Sequence, residues 1–258
     1  MSRERTYQTE AVVLRRRNWG EADRILTLFT PLRGKIRVRA VGVRKPASRK
    51  AGHLELFSRA TLFLARGRDF DIITQAETVE AYSPLREDLV GSAAASYAVE
   101  LLDRLSPEES ENAAAYRLLV RTLEQLSGGG NPALTLRCYD LKLLEYSGYR
   151  PELAVCTIGG EEIRAEAQFF SPARGGAVCP HCAGRAEGAI PVSLAALKVL
   201  RHIQRSGLEE ALQLAVRTST LEELELVLKP YILYLLESPL HSRKFFSEVS
   251  RARDEGGV

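Results

Sequence analysis

The hydrophobic period of this chain changes near Pro84, and that change limits the fold more than any other feature. Before it, apolar residues alternate with polar ones or sit in short β-branched runs; after it they recur at i+3 and i+4. Side chains alternate across a strand but return to one helix face every third or fourth residue, so the front reads as sheet and the back as helix. Five strands are expected, at 8–15, 24–30, 35–43, 58–66 and 70–80, separated by turn-like NWGEAD, PLRG and GRD segments. Such material suits a small Greek-key barrel, either an OB-fold or an SH3-like barrel. Helical stripes follow at Tyr97, Leu101 and Leu105, then from Tyr116 to Leu126 and from Leu136 to Tyr146. Residues 151–190 lose periodicity, gain glycine and hold three of the four cysteines. Helical pattern returns at 193–205, 208–217 and 221–237, with Pro230 expected to kink or split the last. The expected class is α+β: a β-barrel domain over 1–80, a helical domain over 81–258, and a cysteine-containing insert at 151–190 within it.

Charge is divided along the same line. The formal net charge is +3, yet residues 1–80 hold 17 Lys and Arg against 9 Asp and Glu, and the remainder holds 19 against 24. From Arg33 to Lys50 there are eight basic residues and no acidic one. In the strand, Lys35, Arg37 and Arg39 alternate with Ile36, Val38 and Ala40, giving one apolar face and one row of cations. Unpaired charges are too costly to bury, so the row is expected to face solvent or a ligand, with no acid in the stretch to relieve it. A phosphate backbone relieves such a row and releases counterions on binding. Arg44, Lys45, Arg49 and Lys50, in a loop-like segment, and Arg15, Arg17, Arg66 and Arg68 are candidates to extend the patch. Trp19 and Phe70 are candidates to stack on bases.

These residues carry a resemblance. EAVVLRRRNWGEADRILTLFTPLRGKIRVRAVGVRKPASR is similar to the N-terminal domain of the bacterial recombination mediator RecO family. The likeness continues through Arg66-Gly67-Arg68, Pro84-Leu85-Arg86-Glu87-Asp88-Leu89, Gly148-Tyr149-Arg150-Pro151-Glu152-Leu153 and Ser242-Arg243-Lys244-Phe245-Phe246. The resemblance implies an OB-fold, a helical domain and a zinc-ribbon-like insert. It also implies a protein that binds single- and double-stranded DNA, anneals complementary strands and, with RecR, helps load RecA onto DNA coated by the single-stranded-DNA-binding protein. The acidic C-terminal tail of that coating protein is an implied ligand, and Tyr231, Tyr234, Arg243 and Lys244 are the candidate residues for it.

Many members of the family carry two C-x2-C pairs in the insert. Here the second is intact, Cys179-Pro180-His181-Cys182, whereas the first reads Cys156-Thr157-Ile158-Gly159, with glycine where a thiolate is expected. Cys156, Cys179 and Cys182 are therefore candidate zinc ligands. The fourth place is open to a water, His181 or a displaced residue, and a metal-free remnant is the competing reading. Cys138, inside a helical stripe, reads as core.

For catalysis the sequence offers nothing: no phosphate-binding G-x-x-x-x-G-K-[ST], no G-x-G-x-x-G, no triad spacing among the four histidines. Asp69 and Asp71 read as solvated acids at a hairpin, and Glu108-Glu109-Ser110-Glu111 as the acidic first turn of a helix. The expectation is a non-enzymatic DNA-handling protein. An RNA-binding OB-fold protein and a protein-interaction scaffold are the alternatives. The polar opening MSRERTYQTE and the lack of a long apolar run suggest a cytoplasmic, nucleoid-associated protein.

Overall fold

The computed structural model describes residues 5–255, apart from the side chains of residues 243, 244 and 251–255. The alternating front forms β1 (Thr6–Trp19), β2 (Asp23–Thr30), β3 (Gly34–Ala40), β4 (Arg59–Ala65) and β5 (Asp71–Glu80). They close into a barrel of order β1-β2-β3-β5-β4, with β4 pairing back onto β1 and with β3 and β5 parallel. This is the OB-fold order, which decides against the SH3-like alternative. The interior is filled by the inward positions of every strand, among them Val13, Leu26, Ile36, Val38, Leu62 and Ile73, and Leu54 joins them from a short 3-10 turn.

Three helices follow the barrel in the chain: α1 (Pro84–Glu87), α2 (Leu89–Leu105) and α3 (Ala113–Ser127). By compactness the chain divides into residues 1–129 with 245–258, and residues 130–244. Asp88 caps α2 through Gly91 N–H, and Asn112 caps α3 through Ala115 N–H. α2 packs on β1 and α3 on β2, where Val12, Leu14 and Phe29 are buried although they lie outside the interior cluster. The expected acidic first turn at 108–111 is not helical. Those residues precede α3, and Glu108 bridges to Lys35 along β3. Gly34 allows this approach: its φ is +56°, and a Cβ there would lie 1.9 Å from the Ser110 carbonyl oxygen.

In the second unit α4 (Pro132–Tyr146) is buried along most of its length. It packs against α5 (Leu194–Arg205), α6 (Leu208–Leu212) and α7 (Thr218–Leu236). The helix expected at 208–217 is thus only a short one. Pro230 does not split α7, which runs unbroken through it. A three-stranded sheet of β6 (Gln168–Ser171), β7 (Gly176–Val178) and β8 (Ile190–Val192), ordered β7-β6-β8, builds the insert. Arg201 of α5 donates to the carbonyls of Leu153 and Ile163. Tyr231 of α7 donates to the Tyr149 carbonyl and meets Phe170 edge to face at 5.6 Å, so the insert is pinned from two helices. α8 (His241–Glu255) ends the described chain. Among the described residues no helix is long and apolar enough to cross a membrane.

Candidate nucleic-acid interface and metal centre

Strand register assembles the cations of the barrel. A bulge in β1 between Val13 and Arg15 resets the alternation, after which Arg15 faces Thr27 of β2 and Arg17 faces Ile25. On the other edge of β2, Thr27 pairs with Arg37 and Ile25 with Arg39. Residues directly opposite share a sheet face, so Arg15, Arg17, Arg37 and Arg39 form two cross-strand rows on the outside of β1–β2–β3. Arg16 takes the inward side beside Leu26 and meets Glu55 at 2.5 Å.

Two of the grooves on this face are lined by both cations and aromatic residues. One, of about 360 Å³, is lined by Arg15, Arg17, Arg37, Trp19 and Phe70 among others. Trp19 is 45% exposed and meets Phe70 edge-on, with ring centroids 6.5 Å apart. The other, of about 730 Å³, is lined by Arg5, Arg33, Arg37, Arg66, Arg68 and Phe70 among others, so the two share Arg37 and Phe70. Arg44, Lys45, Arg49 and Lys50 do not line either groove. Arg44 reaches the Gly20 carbonyl and Lys50 the Ile73 carbonyl.

The expectation that the β3 row is unrelieved is corrected here. Each of its cations meets an acid from elsewhere in the first unit: Lys35 with Asp103 at 3.2 Å, Arg37 with Glu108 at 3.0 Å, Arg39 with Asp23 at 2.6 Å. The pairs are unequal. Arg37 and Glu108 are about half exposed, with side chains 53% and 52% accessible, whereas Lys35 and Asp103 are drawn in at 14% and 10%. Lys35 also donates to the Asp103 carbonyl at 2.6 Å, because it lies opposite Phe29, on the helix-covered part of the face. Arg17 and Arg68 have no ion-pair partner among the described residues.

Asp71 is not a solvated acid either. It accepts from Tyr7 at 2.6 Å, from Arg33 at 3.2 Å and from Gly67 N–H. Burial would raise its pKa, but these hydrogen bonds hold the carboxyl below the usual range. Burial, reinforced by Asp71, raises the Tyr7 phenol. The guanidinium groups of Arg33 and Arg66 both stack on the Tyr7 ring, at 4.9 and 5.2 Å from its centroid. The pair next to the groove is thus fixed in place. Asp23 is held below the carboxylate range by the Gly42 N–H first and Arg39 second.

In the second unit Cys156, Cys179 and Cys182 come together, as the sequence suggests, and a residue the sequence did not single out joins them. The sulfurs and a carboxylate oxygen of Glu161 all lie within 4.8 Å of one another. Such a set fits a zinc ion, which takes thiolate and carboxylate ligands in fours. The N–H groups of Gly159 and Cys179 both point at the Cys156 sulfur, at 3.4 Å. Burial opposes its ionisation, yet the N–H groups of Cys179, Gly159 and Ile158 bring the Cys156 thiol down to about 7. Cys179, whose sulfur lies 2.7 Å from Glu161 Oε1, is pushed up to about 12 chiefly by that carboxylate. His181 is exposed and outside the group. Cys138 is buried in α4, where desolvation pushes its thiol up to about 12.

The candidate tail-binding residues divide. Tyr231 is only 5% exposed, and its hydroxyl and ring are used within the unit, which corrects its assignment to a docking surface. Tyr234 is 55% exposed, while the side chains of Arg243 and Lys244 lie outside the described residues.

Comparison with known proteins joins both units. The sequence profile described as "Recombination protein O N terminal" matches residues 1–82, and "Recombination protein O C terminal" matches residues 86–244. The "DNA repair protein RecO" of Roseiflexus sp. (strain RS-1) is 45% identical over 247 residues, covering 96% of this chain and 87% of its own. The protein of the same name from Dehalococcoides mccartyi (strain ATCC BAA-2100) is 40% identical, with 92% and 93% covered. That of Symbiobacterium thermophilum is 36% identical, with 96% and 99% covered. With both profiles matched in order and relatives aligned over nearly their whole length, the chain belongs to the RecO family of DNA repair and recombination proteins.

Proposed function

We propose that this chain is a recombination mediator that binds single- and double-stranded DNA on the outer face of β1–β2–β3 and anneals complementary strands. The observation that carries this reading is the pair of cross-strand rows Arg15/Arg37 and Arg17/Arg39 beside the exposed Trp19 and the half-buried Phe70. Cations track a phosphate backbone whatever its sequence, and an exposed aromatic stacks on any base. A face of this kind holds strands without reading them, and by neutralising phosphates it lowers the repulsion between two strands that must pair. Arg66 and Arg68 extend the grip along the larger groove, and Arg44, Lys45, Arg49 and Lys50, which line neither groove, add positive charge to the same unit. Lys35 serves the site indirectly, by fixing the end of α2 through Asp103.

Family membership supports the remaining roles: cooperation with RecR, loading of RecA onto strands coated by the single-stranded-DNA-binding protein, and capture of that protein's acidic tail near Tyr234, Arg243 and Lys244. A cytoplasmic, nucleoid-associated place follows from such partners. Zinc held by Cys156, Cys179 and Cys182 would supply a cross-link for the insert and no chemistry of its own. The test is annealing of two labelled complementary DNA strands by the purified chain without nucleotide. No acceleration over protein-free controls would refute the reading. Competition by RNA and DNA of equal length separates it from an RNA-binding OB protein, which would prefer the RNA.

A further inference from the structure

The first cysteine pair of the insert lacks its second thiolate, and the structure contains the reason this does not leave the cluster one donor short. Cys156 opens a tight turn in which Gly160 N–H donates to the Cys156 carbonyl and Cys156 N–H to the Glu161 carbonyl. The turn carries the Glu161 side chain back over Gly159. A Cβ placed on Gly159 would lie 1.9 Å from Glu161 Oε2 and 2.7 Å from its Cδ. The volume that a side chain at 159 would fill is therefore already filled by the carboxylate. From there Glu161 Oε1 reaches the Cys179 sulfur at 2.7 Å and the Cys182 sulfur at 3.7 Å. We infer that Glu161 is the fourth ligand of a zinc site with three thiolates and one carboxylate, taking the place that a cysteine at 159 would hold.

This rests on the reading that Cys156, Cys179 and Cys182 bind zinc, and adds to it a named ligand in place of a water or His181. Two observations independent of distance support it. The Cys156 sulfur receives two backbone N–H groups, an arrangement that suits a metal-bound thiolate and fixes its direction. The two glycines that follow allow the return of the chain: Gly160 has φ +79°, and Gly159 is bare where the carboxylate sits. Glu161 is also exposed, whereas the three cysteines are buried, so the carboxylate closes the cluster from the solvent side. An oxygen ligand makes this site harder than an all-thiolate one, and its zinc easier to displace.

The test uses the full chain purified without chelator, with zinc stoichiometry, zinc affinity by chelator competition, and the Co²⁺ absorption spectrum as readouts. Wild-type protein should hold one zinc, and its Co²⁺ form should show sulfur charge-transfer bands. Glu161→Gln and Glu161→Ala should weaken zinc binding by at least the roughly 10–100-fold that loss of a mere outer-shell partner costs. The double variant Gly159→Cys with Glu161→Ala should recover it and add a fourth thiolate's intensity to the Co²⁺ bands. If a single variant unfolds the insert, the double variant still decides, because it lacks the carboxylate as well. Wild-type protein without zinc overturns both the three-cysteine reading and this one. Zinc bound equally by wild type and both Glu161 variants overturns the assignment of Glu161 and leaves the three cysteines standing. Failure of the double variant to bind better than Glu161→Ala overturns the substitution of carboxylate for thiolate.

Discussion

Replacing Arg17, Arg37 and Arg68 together by alanine separates phosphate grip from fold. Arg17 and Arg68 hold no ion pair among the described residues. The partner of Arg37, Glu108, is half exposed, and such pairs contribute about 0–1 kcal/mol to stability. The triple variant should therefore unfold within about 1 kcal/mol of the wild type. Its DNA binding should change far more. Each phosphate contact contributes about 0.7 to the slope of log K against log salt for a single strand, so losing three flattens it by about 2. Between 50 and 200 mM salt the wild type should then lose roughly 20-fold more affinity than the variant. Fluorescence anisotropy of a labelled single strand at several salt concentrations measures both slopes. Lys35→Ala is the counterpart. It removes one of the two cations on Asp103, whose other carboxylate oxygen keeps Arg15 at 3.2 Å, so it should cost about 1 kcal/mol of stability with the slope unchanged. Equal slopes for wild type and the triple variant would refute the placement of the DNA on this face.

Glu108 competes with phosphate for Arg37, so Glu108→Gln should raise single-strand affinity by up to about 5-fold, the equivalent of the pair's upper value; unchanged or weaker binding in the same titration counts against it. Gly34→Ala should lose about 1–3 kcal/mol to left-handed strain alone, and more from collision with Ser110, read as a shifted urea midpoint. Asp71 has a folded pKa below its unfolded value near 3.9, so its contribution is complete above that value and lost as pH falls through the folded one. Asp71→Asn should accordingly flatten the acid limb of the stability curve, and parallel curves would deny the role of the Tyr7–Arg33–Asp71 cluster. No ATP hydrolysis should accompany annealing; a rate abolished by a point substitution in this chain would show otherwise.

The fold was legible in the sequence because each of its signals is local. Ile36, Val38 and Ala40 mark the inside of a strand whatever surrounds it, and Leu119, Leu123 and Leu126 mark a helix face in the same way. Boundaries were less legible where tertiary contact sets them. β1 runs on to Trp19 because β2 pairs with it over seven positions through Asp23, overriding the turn-like NWGEAD. Pro230 stays inside α7, whose Val227, Leu228, Tyr231 and Ile232 are all buried on both sides of it, so packing outweighs the missing hydrogen bond. Glu108–Glu111 has the composition of a helix start, but Asn112 takes the cap and leaves the acids to the cations of β3 and its turn.

The site shows the same division between local and distant causes. That Lys35, Arg37 and Arg39 share a strand face follows from the pleat alone; that Lys35 lies under α2 while Arg37 opens onto the grooves follows from Asp103, 68 residues away in the chain. Charge counting within a window sees eight cations and no acid, and so overstates the field of this face, since Asp23, Asp103 and Glu108 come from outside the window. What remains for a phosphate is a smaller set, and it is the register that selects it. Because of the bulge in β1, Arg15 and Arg17 turn outward and Arg16 turns in towards Glu55. One more or one fewer residue there would exchange the inward position of Arg16 with the outward positions of its two neighbours. The identity of the grip therefore depends on a backbone irregularity that no property of three consecutive arginines reveals.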